Sequence, residues 1–202
     1  MKYKDLRTID QASAKLREKK LTSKKVFDGK LLHVYSDEAE LPDKTTSTRE
    51  WIKHPGASAV VPVFEDGSIM LLHQFRYPPK QTFIEVPAGK IDPGEDQKTT
   101  AERELFEESG IKCEHLEEVG SFYPAIGYAD EIIYVYAAWG LTVEDQSVDD
   151  DEFLLKYRIP FSKALEMIRT GEITDGKTIC SLVQASMWWK ENVPFEVDLD
   201  PA

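Results

Sequence analysis

From Gly89 to Ile111 the chain reads GKIDPGEDQKTTAERELFEESGI, a loop feeding a short helix that is dense in carboxylates. Pro93 and Gly94 mark a turn. Glu95 and Asp96 stand where a helix N-terminus favours negative charge, and Gly110 stands where a left-handed cap wants no Cβ. Between them, Ala101 and Leu105 are spaced to face a core, while Glu104 and Glu108 share the adjoining face with Glu107 beside them. Each like-charged pair at that spacing costs about 0.2–0.5 kcal/mol even when solvated. A solvated acidic face balanced by Arg103 and Lys98 is one reading. The PAG lead-in and the PG turn favour another. Clustered oxygens suit a hard divalent cation, which accepts carboxylates, carbonyls and water and then holds phosphate oxygens.

The spacing also carries a resemblance. Gly89, five residues, Glu95, seven residues, Arg103-Glu104-Leu105, one residue, Glu107-Glu108, one residue, Gly110-Ile111 resembles a complete Nudix box. The resemblance implies an α/β fold, the Nudix α/β/α sandwich with a mixed sheet. It also implies Mg²⁺-dependent hydrolysis (Mn²⁺ substituting) of a nucleoside diphosphate linked to another group. In the family pattern Glu104 and Glu108 are metal ligands, joined by the main-chain carbonyl of Ala88, and Glu107 either ligates or orients a bound water. Gly89, Glu95, Arg103 and Gly110 are scaffolding: an Arg103–Glu95 bond between helix and loop keeps the carboxylates aimed.

The chain has 202 residues, enough for one well-cored domain with a small N-terminal addition. A net charge of −12 argues against a general nucleic-acid binder, since neutralising phosphates needs a basic surface. Neither a signal-like apolar segment nor a run long enough for a membrane span is present in the sequence. Cys113 and Cys180 offer no metal or disulfide spacing, so a reduced, cytoplasmic enzyme is expected.

Residues 1–55 read as a small antiparallel β-sheet region and residues 56–202 as the main domain. KKVFDGKLLHVYSDEAEL alternates around a turn at Asp28-Gly29, and TSTREWIKH adds a third strand. So small a sheet needs a surface to pack on, either its own domain or a partner subunit. Downstream, Asp66-Gly67 reads as the turn of a hairpin between two apolar strands. FIEVPAGK leads a strand into the box, HLEEVGSFYPAIG and EIIYVYAAWGL read as two more strands with the second central, and FLLKYRIP as another. FSKALEMIRTGE, with Ser162 as N-cap, and TICSLVQASMWWKE read as helices.

HPGASAVVPVFEDGSIMLLHQFRYPPKQTFIEVPAGKIDPGE, with YPAIGYADE and the acidic DDDEF downstream, is similar to the ADP-ribose pyrophosphatase and nucleoside-diphosphate-sugar hydrolase subgroup. That similarity implies a homodimer and a nucleoside diphosphate sugar as substrate. Arg76 is a candidate phosphate clamp, because a planar guanidinium matches phosphate oxygens bidentately. The alternative is an edge-strand Arg in a surface pair. Arg49 and Trp51 fall where the family holds base and phosphates. Trp51 either stacks on a base or is a core or interface aromatic. Tyr128 is a candidate for the sugar side, and Glu131 for positioning substrate or water. The general base is either Glu152 or Asp150, the latter a departure from the Glu usual in relatives. Two rival readings remain. One is hydrolysis of dinucleoside polyphosphates or other nucleoside diphosphate derivatives. The other is a non-catalytic nucleotide sensor, which would be expected to lack box carboxylates that are all present here.

Overall fold

The computed structural model describes residues 13–144, 153–192 and 194–200. Among them lie ten strands and three α-helices, and they form two compact units. One unit runs through His54 and takes in Ala125–Asp130; the other comprises Pro55–Pro124 and the chain from Glu131 onward. The linear division at residues 1–55 and 56–202 therefore does not assign Ala125–Asp130 to the unit that holds it.

In the first unit β1 (Lys19–Asp28), β2 (His33–Glu40) and β3 (Thr46–Lys53) form an antiparallel sheet in chain order. β1 and β2 join through Gly29–Leu32, closed by the Gly29 amide donating to Leu32 O at 2.9 Å. Every residue of β1 is exposed, and this sheet buries only Asp37 and Ala39. The Ala125–Asp130 segment is bonded to β3. Ile52 N donates to Tyr128 O at 2.8 Å, and His54 N donates to the Asp130 carboxylate at 2.7 Å.

The second unit holds two sheets. β4 (Ala57–Pro62), β7 (Ala88–Lys90), β8 (Ile111–Phe122) and β9 (Ile133–Val143) form a mixed sheet in the order β7-β4-β9-β8, with β4 and β9 parallel. β5 (Ser68–Arg76), β6 (Gln81–Glu85) and β10 (Leu154–Pro160) form an antiparallel sheet in the order β10-β5-β6. β9 is central, as its apolar run predicts. The turn at Asp66-Gly67 is present, with Gly67 at φ 76° and its amide donating to Phe64 O. The expected hairpin is not. Beyond one bridge between Val63 and Ile69 the strands part into different sheets. β4 pairs with β9 along its length and with β7 at Ala57–Ala59, while β5 pairs with β6 and β10.

Helix α1 (Gln97–Ser109) covers one face of the mixed sheet, and α2 (Phe161–Thr170) and α3 (Gly176–Asn192) cover the other. The strand period of two sorts side chains between the faces. On β4, Ala57, Ala59 and Val61 join the α2/α3 core with Phe161, Ala164, Leu182 and Trp189, whereas Val60 joins Ala101 and Leu105 of α1. Burying a leucine such as Leu105 or Leu182 contributes about 1.5–3 kcal/mol. This is the α/β/α layering expected from the resemblance. Ser162 does not cap α2: the N-cap is Pro160, and Ser162 lies inside the helix. β10 runs directly into α2, and the Phe161 amide donates to Gly67 O at 3.0 Å. No helix among the described residues is long and apolar enough to cross a membrane.

Candidate active site

The Asp92–Glu95 turn and helix α1 set the site. Glu95 N donates to Asp92 O at 3.0 Å, with Gly94 at φ 94° supplying the positive dihedral. Asp96 is the N-cap, its carboxylate accepting from Thr99 N at 2.8 Å, and Gly110 closes the helix at φ 73°. The box is thus clamped at both ends.

Arg103 lies at the middle of the acidic face. Its Nε donates to Glu95 Oε1 at 3.0 Å, and its Nη1 donates to Glu104 Oε1 at 2.7 Å and Glu107 Oε2 at 2.9 Å. Its Nη2 reaches Glu95 Oε2 at 3.0 Å and Lys90 O at 3.2 Å. The bond to Glu95 leads in raising Arg103 far above its ordinary value against the opposing effect of burial, and the bonds to Glu107 and Glu104 add to it. Conversely, Arg103 and then Thr100 hold the Glu95 carboxyl below its ordinary value. One guanidinium therefore ties the loop to the helix and offsets the repulsion within the carboxylate row.

The helix also meets β7. Glu108 is buried at 5 % exposure, and its Oε2 accepts the Ala88 amide at 2.8 Å. The Glu104 carboxylate lies against the Gly89 main chain so closely that a Cβ there would fall 1.9 Å from Oε1. Gly89 is required by that approach rather than by its dihedral. Ala88, Gly89, Glu95, Arg103, Glu104, Glu107 and Glu108 are thus brought together. Carboxylate oxygens beside bare main chain are the donor chemistry of Mg²⁺ or Mn²⁺, and in that respect these residues fit such an ion. Among the described residues no three His, Cys, Asp or Glu side chains stand in a metal-ligating cluster. Arg103 draws Glu104 and Glu107 toward itself while Glu108 bonds to Ala88.

Arg76 lies on β5, the middle strand of its sheet, and not on an edge. Its Nε and Nη2 form a fork on Glu85, at 2.8 and 2.7 Å. That fork holds Arg76 above its ordinary value against the opposing effect of burial, and the charges of Glu85, Glu108 and Asp175 add to it. The guanidinium is thus within electrostatic reach of the box. Glu85 itself is 2 % exposed and accepts Lys177 Nζ as well. Burial alone would raise its carboxyl, yet Arg76 and Lys177 prevail and hold it low. A cavity of about 390 Å³ opens here, lined by Arg76, Pro78, Pro79, Phe83 and Lys177 among others. Sequence reasoning missed Glu85, Asp175 and Lys177. Asp175 carries a local helix-cap signal through Thr178 three residues on, but nothing local marks the Glu85–Lys177 pair, whose members lie 92 residues apart.

The remaining candidates belong to the first unit or its border. Trp51 stacks on its cross-strand neighbour Tyr35, with centroids 5.1 Å apart, and its Nε1 donates to the buried Asp37 at 3.0 Å. Arg49, two residues earlier on the same face, forks onto Glu18 at 2.9 and 2.7 Å. Tyr128 is exposed in the segment bonded to β3, and Glu131, the first residue of the returning chain, is half-buried. Asp150 and Glu152 lie outside the described residues.

Comparison with known proteins agrees with this geometry. The NUDIX domain model matches residues 53–181. The chain is 40 % identical over 165 residues to an ADP-ribose pyrophosphatase of Bacillus subtilis (strain 168), covering 81 % of this chain and 89 % of that one. It is 38 % identical to a methanol dehydrogenase activator of Bacillus methanolicus, covering 82 % and 90 %. To a GDP-mannose pyrophosphatase of Yersinia enterocolitica it is 30 % identical, covering 77 % and 87 %. A solved structure described as an ADP compounds hydrolase superposes with TM-score 0.76 at 22 % identity, covering 87 % and 96 %, and so shares the fold. Box geometry, family model and relatives converge: this chain belongs to the Nudix family of hydrolases.

Proposed function

We propose that the chain hydrolyses the diphosphate of ADP-ribose or a related nucleoside diphosphate sugar, releasing a nucleoside monophosphate and a sugar phosphate. The observation that carries this reading is the convergence of Glu104 and Glu108 on the Ala88–Gly89 main chain. The relatives named as pyrophosphatases of ADP-ribose and of GDP-mannose support the substrate class.

Glu104, Glu108 and the Ala88 carbonyl, with Glu107 beside them, are the residues that would hold Mg²⁺ or Mn²⁺. When bound, the ion neutralises diphosphate charge and acidifies a water. Water adds to one phosphorus, the bond to the bridging oxygen breaks, and the leaving phosphate departs with that oxygen. Arg76 offers positive charge to the equatorial oxygens as negative charge develops, and Glu152 or Asp150 takes the proton from the attacking water. Trp51 and Arg49 bind the nucleotide, with Tyr128 on the sugar side and Glu131 aligning substrate or water. The working form is a homodimer, for which the bare β1 strand and the exposed Phe27 and Val26 supply a face.

The test is purified protein with MgCl₂, with MnCl₂, or with EDTA, offered ADP-ribose, ADP-glucose, GDP-mannose, UDP-glucose and diadenosine polyphosphates. Phosphate is measured after phosphatase coupling, with Glu108→Gln in parallel. Sugar nucleotides turn over with either metal, EDTA stops the reaction, and Glu108→Gln loses at least about 10²-fold in kcat, the scale of losing one preorganised charge contact. Turnover confined to polyphosphates overturns the substrate class. Tight ADP-ribose binding without turnover replaces hydrolysis by sensing.

A further inference from the structure

The start of helix α3 is built into the strand exit that carries the site. Asp175 Oδ2 accepts from Thr178 N at 3.1 Å and from Thr178 Oγ1 at 2.7 Å, fixing the hydroxyl's direction. With its proton committed to Asp175, Thr178 Oγ1 accepts the Val86 amide at 3.0 Å. Two residues on, the Ala88 amide donates to Glu108. In parallel, Lys177 Nζ bridges Asp175 Oδ2, at 2.8 Å, and Glu85 Oε2, whose carboxylate also holds the Arg76 fork.

Two cations and two anions alternate here: Arg76, Glu85, Lys177, Asp175. The Lys177 side chain is 17 % exposed and that of Glu85 3 %. Buried charges persist when each is paired, and removing one member leaves its partner costly. Helix capping alone would need only Asp175 and Thr178. Lys177 is not needed for the cap, yet it shares Glu85 Oε2 with Arg76 Nη2.

We propose that Lys177 is a positioning residue for Arg76. By sharing Glu85 it keeps the carboxylate from fully neutralising the guanidinium, leaving Arg76 oriented and positive toward a phosphate. Asp175 holds Lys177 in place, and Thr178, bonded to Asp175, fixes the Val86 amide. This rests on the reading of Arg76 as the phosphate clamp. Replacing Lys177 by a neutral side chain makes the four-residue group net negative, so an incoming diphosphate meets repulsion in place of balance.

The experiment compares wild type, Lys177→Met, Lys177→Arg and Asp175→Asn in steady-state ADP-ribose hydrolysis. The ¹⁵N–¹H signal of Arg76 Nε, identified through Arg76→Lys, is followed in the same proteins. Lys177→Met lowers kcat/KM about tenfold or more, raising KM and lowering kcat together, because Arg76 meets the phosphate both on binding and as charge develops. Lys177→Arg restores kcat/KM, and the Arg76 Nε signal moves in Lys177→Met and returns in Lys177→Arg. Asp175→Asn moves that signal in the same direction as Lys177→Met. Unchanged kcat/KM together with an unmoved signal in a folded Lys177→Met protein overturns the proposal. If Lys177→Met fails to fold, Lys177→Gln takes the same measurements. If wild type turns over no nucleoside diphosphate sugar, the functional reading fails. The Arg76 signal still reports the coupling: a shift retains the positional link, and its absence removes it.

Discussion

Gly89 carries the sharpest constraint on any single residue. Its missing side chain leaves room for Glu104, whose carboxylate would sit 1.9–2.4 Å from a Cβ. The carboxylate ends a flexible side chain, so Gly89→Ala is accommodated by pushing Glu104 aside rather than by unfolding β7. We expect kcat/KM to fall by about 10²-fold, as a displacement near 1 Å at a reacting centre does. Thermal melting should change little. Steady-state kinetics and a melting curve on one preparation check both halves, and full activity in the alanine variant would mean that Glu104 need not hold this position. The glycine was legible from box spacing, but its reason was not. Only the packing of α1 on β7 shows that the contact is with Glu104.

At the scale of elements, the Asp92–Glu95 turn is tied to α1 by one guanidinium. The Arg103 bond, then that of Thr100, depresses Glu95 below its ordinary value of 4.5. A depressed carboxyl stabilises the fold above its unfolded-state value and loses that contribution as pH falls through its folded value. Glu95→Gln should therefore melt below wild type at neutral pH, and the gap should close as pH drops below 4.5. Melting curves from pH 7 to pH 3 measure it, and a gap constant across the range would place the effect in packing. Local signals predicted this element well, since caps and turns are written in neighbouring residues. They failed at Ser162, which lies inside α2 because β10 feeds directly into the helix and Pro160 takes the N-cap place.

For the whole molecule, the three-stranded N-terminal sheet buries little of its own side-chain surface, and its first strand is exposed throughout. A bare edge strand is an open template for pairing, partly blunted here by Lys19, Lys20, Lys24 and Lys25. We expect sedimentation at micromolar protein to return twice the chain mass, and Phe27→Asp with Val26→Lys to shift it toward a single chain. A single chain for wild type would assign the exposed strand no role in self-association. The Ala125–Asp130 segment shows how this scale escapes linear reading. It lies between β8 and β9 in the chain, yet backbone hydrogen bonds join it to β3, and no local pattern encodes a pairing between segments that far apart.

By itself the sequence determined the carboxylate row, the acidic helix start at Glu95-Asp96, the Gly110 cap, the central apolar strand and the family, because each is a short-range pattern of period, spacing or turn chemistry. Tertiary structure decided which sheet β5 joins, since one of its partners, β10, lies far along the chain. It also decided that Arg76 shares Glu85 with Lys177. A buried charge takes its partner from whatever the fold brings within reach, and that partner can stand anywhere in the chain.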